Sequence, residues 1–391
     1  MSQWKMVKLG DVSSVITKGT TPTTLGFAFQ VQGINFIKIE SISENGEFLK
    51  EKFKHISQEC DDKLRRSRLC IDDILFSIAG ALGRTAIVTE DVLPANINQA
   101  LAIIRIKKEK IYHPYIQYTL KSDYVYQQFQ KQKQGVAQLN LSLKNISELT
   151  IPLPPIEIQQ KIAKTLDTAS DLLKLCKQQL AELDQLIQSV FYELFGDPMR
   201  NEKGWNKLKL EDRCTIITGN TPPRKEKENY GDFIEWIKSD NINTSCSLLT
   251  TAVEYLSVNG FEKGRYVEKG SILMTCIAGS KKCIGNIGIA NRRVAFNQQI
   301  NGIVPKDDTL EFTYWMLYYS KPYIQSSINM ALKGILSKGQ LSNLEFIFPP
   351  ISNQTKFASI VKKIEEQKSL VQQSIDKTQT LFDSLMNQFF E

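Results

Sequence analysis

Two stretches of the chain place apolar residues on a seven-residue period. In the first they fall at Ile162, Leu166, Ala169, Leu173, Cys176, Leu180, Leu183, Ile187, Val190 and Leu194. The alternating spacing of four and three is a heptad seam, the mark of a helix packed along its length against another helix. In the second the seam runs Phe357, Val361, Ile364, Lys368, Val371, Ile375, Thr378, Phe382, Leu385 and Phe389, broken only by Lys368 and Thr378. A polar residue in a seam fixes register at a cost in stability, and a lysine there can carry its charge out to water. The first run, Glu157 to Phe195, holds no Pro or Gly and predicts a helix about 58 Å long at 1.5 Å per residue. An amphipathic helix of this length needs a partner. The simplest partner for each run is the other, paired antiparallel about a pseudo-twofold axis, with the rest of the chain forming two domains at opposite ends of a rod.

The pattern ahead of each seam is different. Short β-rich runs, such as Phe36–Ile39, Ile74–Ile78 and Leu101–Ile106, are separated by Gly, Asn and Asp clusters. A helical stretch follows at about Tyr115–Phe129, and again near Phe312–Tyr319. Pro152-Leu153-Pro154-Pro155 then forces the backbone extended, and Pro349-Pro350 does the same later in the chain. The expected fold class is α+β: two mixed α/β globular domains separated by two long antiparallel coiled-coil helices. The expected division is 1–155, a globular domain; 156–197, a long helix and linker; 198–350, a second globular domain; and 351–391, a second long helix.

The two halves are copies of one unit. Trp4, Leu9 and Asp11 match Trp205, Leu210 and Asp212, and Thr21-Pro22 matches Thr221-Pro222 after a one-residue slip. Phe36-Ile37-Lys38 matches Trp236-Ile237-Lys238, Asn98-Gln99 matches Asn297-Gln298, and Pro154-Pro155-Ile156 matches Pro349-Pro350-Ile351. Residues 1–197 and 198–391 are therefore a tandem internal repeat.

Composition narrows the class. A net charge of +7 raises the prior for a nucleic-acid partner only modestly. The seven cysteines are scattered with no CxxC, which argues for reduced cytoplasmic thiols rather than a disulfide or zinc framework. No apolar run is long enough to span a bilayer, so no membrane association is expected. There is no GxxxxGK[ST], no HExxH, and only two histidines, His55 and His113, both read as loop or surface residues. The Pro-Pro pairs lack the Asp or Asn that an adenine methyltransferase presents to a base, and Gly279–Gly288 lacks GxGxxG spacing. No catalytic centre and no cofactor are expected.

The tandem arrangement, the opening W-x-x-x-x-L-x-D at Trp4, Leu9 and Asp11, the junction GVAQLNLSLKNISELTIPLPPIEIQQKIA (Gly135 to Ala163) and the linker FGDPMRNEKGW (Phe195 to Trp205) together resemble the specificity subunits of type I restriction–modification systems. Gln159-Gln160 stands where that family often has Glu-Gln. The second junction departs: Gln340 lies further beyond Gly334 than Gln138 lies beyond Gly135, so a role does not transfer directly between them. The resemblance implies a non-catalytic DNA-binding subunit. Each globular domain would be a target recognition domain reading one half of a split site in double-stranded DNA. The helices would dock two methyltransferase (M) subunits, with restriction (R) subunits joining them. The alternatives are a stand-alone DNA-modifying enzyme with an unrecognised site, and a coiled-coil scaffold that does not bind DNA.

Arg, Asn and Gln side chains read base edges best, and lysines hold phosphates. Three places in each half combine such residues with turn-forming Gly or Pro. The first is Lys18, Thr20 and Thr21, with Thr221, Arg224 and Lys225 in the second copy. The second is Gly80 to Arg84, with Lys281 and Lys282. The third is Asn98-Gln99, with Asn297-Gln298. Gln138 and Asn140 make a weaker fourth. Any of these is equally compatible with an ordinary solvated turn, and Asn98 and Asn297 could instead hold a turn through side chain–backbone bonds.

The seam generates a test. One heptad added to each helix, between Leu173 and Leu180 and between Lys368 and Ile375, keeps the apolar stripe in phase, whereas two residues added to one helix do not. The heptad pair should fold and keep both half-site sequences, with a longer spacer or lost recognition on methylome sequencing; the two-residue variant should melt earlier. Full methylation with an unaltered spacer in the heptad pair would show that the helices do not set the distance.

Overall fold

The computed structural model describes residues 4–107, 111–131, 141–242, 247–328 and 334–390. Packing divides the chain into two units: Met1–Lys177 with Gln373–Glu391, and Gln178–Gln372. The two long helices run Ile156–Phe195 and Ile351–Phe390, so each contributes one part to each unit.

The first unit is built on an antiparallel four-stranded sheet in the order Ser13–Lys18, Leu101–Ile106, Ile74–Ser77, Thr85–Ile87. A smaller sheet places Ile34–Ile37 between Lys54–Ile56, antiparallel, and Ala95–Ile97, parallel. Both faces of the central strand Leu101–Ile106 are covered: Ala102 and Ile104 join the core under the helices, while Leu101 and Ile103 join the core under the smaller sheet. That is why this segment reads as a continuous apolar run rather than an alternating one. Met6–Lys8 pairs with Thr150–Pro152 and brings the start of the unit beside its exit into the long helix.

The second unit repeats this plan. Its four-stranded sheet runs Cys214–Thr218, Ile300–Pro305, Ser271–Thr275, Ile287–Ala290. Tyr230–Ile237 pairs with Tyr255–Leu256, antiparallel, and with Val294–Phe296, parallel, which in turn pairs with Tyr266–Val267. Lys207–Lys209 with Glu345–Ile347 repeats the closing pair.

The helical stretch expected over Tyr115–Phe129 is two helices, His113–Lys121 and Asp123–Lys131. Ser122, extended and buried, separates them; its hydroxyl donates to Thr119 O at 2.6 Å and accepts from Val125 N at 3.4 Å. Serine competes with helical bonding in this way and favours caps. His55 lies in the strand Lys54–Ile56 rather than in a loop.

The long helices pack antiparallel inside each unit. In the second unit Phe191 and Phe195 meet Phe357, at ring-centroid distances of 5.5 and 5.4 Å, while the earlier residue Asp184 meets the later residue Lys368 at 2.8 Å. In the first unit Ile162, Ala163 and Leu166 share a core with Met386 and Phe390. The seam changes at each helix end. Val190, Leu194, Leu385 and Phe389 are only half-buried, and the buried stripe continues through Ile187, Phe191 and Phe195, and through Met386 and Phe390. There the helix leaves the two-helix seam and faces a globular core, which wants a wider stripe at 3.6-residue spacing. Lys368 is half-buried, with 18% of its side chain open to water and its charge paired. Its ammonium bonds Asp184 at 2.8 Å and Glu365 at 3.1 Å. Burial pulls its pKa down, but the two carboxylates outweigh that and hold it above the ordinary lysine value.

One glutamine pins each Pro-rich stop to its domain. Gln159 is 1% exposed; its Oε1 accepts from Tyr112 N at 2.9 Å and its Nε2 donates to Pro154 O at 2.8 Å. Gln354, also 1% exposed, accepts from Thr309 N at 3.0 Å and donates to Pro349 O at 2.9 Å and to Asp308 Oδ1 at 2.7 Å. Truncating either leaves buried backbone groups unpaired. We therefore expect Gln159→Ala and Gln354→Ala each to lower stability by about 1–3 kcal/mol in urea unfolding, with the exposed Gln188→Ala as a neutral control. An equal loss at Gln188 would refute the pinning role.

Candidate nucleic-acid interface

The strand pairing gathers the three basic and amide-bearing places at one end of the four-stranded sheet. Lys18 pairs with Ala102 and Ser77 with Leu101. The turn after Lys18, the Gly80–Arg84 turn after Ser77 and the Asn98–Ala100 approach to Leu101 therefore leave the sheet together. Ile37 pairs with Ile97, so Lys38 emerges beside Asn98. Leu141 N donates to Ile78 O at 3.0 Å, bringing the junction to the same end. Gln138 and Asn140, just before it, lie outside the described residues. In the second unit Thr218 pairs with Asn301 and Thr275 with Ile300, and Leu336 N donates to Cys276 O at 2.8 Å.

Two sequence-separated motifs meet at this end in both copies. The Thr21 hydroxyl donates to Gln99 Oε1, and the Thr221 hydroxyl donates to Gln298 Oε1. The glycine before each threonine permits the approach. A Cβ on Gly19 would lie 1.9 Å from Ile97 O, and one on Gly219 would lie 2.2 Å from Asn297 O. Backbone cannot yield there, so only glycine fits. Gln99 and Gln298 are exposed, and each has its amide nitrogen left as a donor after the threonine bond.

The asparagines hold the turn, one of the two roles open to them. Asn98 Oδ1 accepts from Ala100 N at 3.2 Å and Asn297 Oδ1 from Gln299 N at 3.0 Å, with Asn297 buried. Arg84 Nη1 donates to Ile42 O at 2.8 Å and Ile39 O at 3.4 Å, so part of its guanidinium braces the neighbouring turn. Lys18, Arg224, Lys225, Lys281 and Lys282 are exposed, and Thr20 is half-buried. Lys281 and Lys282 sit on a single tight turn capped by Ser280.

Sequence reasoning missed a set of residues here. Lys38 lies 4.8 Å from the Phe29 ring, and its counterpart Lys238 lies 5.3 Å from the Trp236 ring. Arg224 lies against both Trp236 and Tyr230, 5.2 and 5.4 Å from their centroids. Glu254 bridges Lys238 and Arg224 Nη2, the latter at 3.2 Å. The Lys238 hydrogen bond, opposed by burial, holds the Glu254 carboxyl below its usual range. Part of the signal was present: Lys38 and Lys238 match in the repeat, each two residues after an aromatic, Phe36 or Trp236, though the ring that Lys38 meets is Phe29. Among the described residues no His, Cys, Asp and Glu cluster is able to hold a metal ion, and no helix is long and apolar enough to cross a membrane.

A family model described as the type I restriction modification DNA specificity domain matches this chain twice, over residues 1–185 and 202–379. The chain belongs to that family. It is a specificity subunit, not an enzyme in its own right. The type I restriction enzyme MjaIX specificity subunit of Methanocaldococcus jannaschii is 23% identical over 98% of this chain and 91% of its own length. The HindI specificity subunit of Haemophilus influenzae is 24% identical over 87% of this chain and 86% of its own. In fold, the chain is similar to a structure described as showing complex assembly and conformational transition of the type I R-M system, with TM-score 0.62, 19% identity, and 99% and 97% of the two chains covered. It is also similar to the type I system S subunit from M. genitalium, with TM-score 0.58, 14% identity, and 100% and 96% covered.

Within this specificity subunit the second junction aligns differently from the first. Ser337 and Gln340 form a reciprocal cap, with Ser337 N donating to Gln340 Oε1 at 2.9 Å. Ser142 and Asn145 form the same cap, at 3.0 Å. Gln340 is therefore the counterpart of Asn145, not of Gln138.

The close approach at the two glycines predicts that Gly19→Ala and Gly219→Ala each push the threonine turn off its glutamine and lower the melting temperature. Gly339→Ala, on a short helix with nothing within 4 Å of the added carbon, should be neutral or stabilising. Melting curves of the three variants decide it; unchanged melting at Gly19 and Gly219 would show that the turns can move apart freely.

Proposed function

We propose that each unit reads one half of a two-part site in double-stranded DNA with the surface at the end of its four-stranded sheet. We also propose that the long helices dock two methyltransferase subunits, which restriction subunits join. On this reading residues 1–155 and 198–350 are the target recognition domains, 156–197 and 351–391 are the docking segments, and the complex works in the cytoplasm. The observation that carries it is the threonine–glutamine bracket, repeated in both copies amid exposed cations and glycine turns.

The division of labour follows from chemistry. Gln99 and Gln298 offer an amide to a base edge, with orientation set by Thr21 and Thr221. Thr20 adds a hydroxyl beside the first bracket. Lys18, Arg224, Lys225, Lys281 and Lys282 hold phosphates. Asn98, Asn297 and Arg84 shape the turns that present them. The two rivals, an enzyme with an unrecognised site and a scaffold indifferent to DNA, each make a measurable claim.

The purified subunit should bind DNA with an affinity that falls as salt rises, because phosphate contacts release counterions, and should neither methylate nor cut it. Turnover of S-adenosylmethionine by the isolated chain would favour the enzyme; no salt-dependent binding would favour the scaffold. In the assembled system, exchange of residues 1–155 for those of a relative should change one half-site and leave the other intact. Simultaneous change of both halves would end the modular reading. Charge substitutions along both long helices should release the methyltransferase subunits on co-purification.

A further inference from the structure

The Arg224–Glu254–Lys238 cluster in the second unit carries a further inference, which rests on the proposed DNA reading. Arg224 and Lys238 both lie over Trp236, and Tyr230, packed edge-on to Trp236, also meets Arg224. The aromatic pair is fixed to the recognition turn: Tyr230 OH donates to Pro222 O at 2.7 Å and Trp236 Nε1 to Asn220 O at 3.4 Å. Thr221 of the same turn holds Gln298. The two cations thus stand on a rigid platform beside the residue that would read a base. Glu254 binds both of them, one oxygen to each.

Two cations brought to one oxyanion are the geometry that grips a backbone phosphate. We infer that Glu254 is a built-in phosphate mimic: it holds Arg224 and Lys238 in place in the free subunit, and a DNA phosphodiester displaces it on binding. The Arg224 pair is open to water and the Lys238 pair half-buried; ion pairs that water reaches are weak, so the exchange is possible without unfolding anything. Its consequence is a penalty on every DNA encounter, matched or not, that only a site with good base contacts overcomes. The first copy lacks the device. Lys38 there stands over Phe29 with Glu40 at 3.8 Å, and the position matching Arg224 is Thr24. The penalty therefore belongs to the second half-site alone.

The test uses the full chain, a short duplex of random sequence and low, fixed salt. Glu254→Gln should tighten binding about threefold to tenfold, the scale of two ion pairs that water reaches. Glu254→Asp, which keeps the charge on a shorter arm, should give a smaller gain, and it serves as the readout if the glutamine variant does not fold. In the Arg224→Ala/Lys238→Ala background, Glu254→Gln should change nothing, since no cation is left to compete for. Unchanged or weaker binding by Glu254→Gln in the parent chain overturns the inference. So does an equal gain in both backgrounds, which would be a general field effect of one less negative charge. Failure of the parent chain to bind DNA at all would instead strike the proposed function, so the two failures are told apart.

Discussion

Everything in this molecule depends on completing two cores with one pair of helices. Neither half of the sequence supplies the full core of the unit it begins. The first unit needs Met386 and Phe390, which pack with Ile162, Leu166 and Tyr115. The second needs Ile187, Phe191 and Phe195, which pack with Phe312 and Phe357. Burying a phenylalanine of this kind is worth about 3–5 kcal/mol relative to alanine, a large share of a domain's net stability. The helices are thus structural members of both units at once. Their ends are aromatic because they face globular cores.

The tandem repeat has kept the frame and varied what stands on it. Both copies use a glutamine to tie the Pro-rich stop, a serine-headed cap at the junction, and a glycine that lets the recognition turn touch the next strand. These are positions where backbone geometry leaves one or two residue types possible. The cations and aromatics beside the turn differ between copies, because nothing in the frame dictates them. A subunit that reads two different half-sites would be expected to differ in that layer.

Much was legible in the sequence. The heptad spacing revealed a long helix after each Pro-rich stop, because a periodic apolar stripe is a local property of the chain. The strand Leu101–Ile106 was found because a short continuous apolar run is local as well. The break at Ser122 was not, since the apolar pattern runs across it and the cap that makes the break is a single hydroxyl. The final seam positions were assigned to Val190 and Leu194 rather than to Phe191 and Phe195, because a fixed seven-residue count does not register where the helix changes partner.

The sequence by itself determined the duplication, the helices and the family, since each rests on residue type and spacing along one chain. Tertiary structure decided which of the candidate residues stand together. Thr21 and Gln99 are far apart in sequence and touch only because Ser13–Lys18 lies against Leu101–Ile106. Asn98, equal to Gln99 on composition, turned out to face its own backbone. Lys368 found Asp184, and Glu254 found both Arg224 and Lys238. Strand register and helix packing set these meetings. They arise from contacts between distant segments, and spacing along the chain carries no record of them.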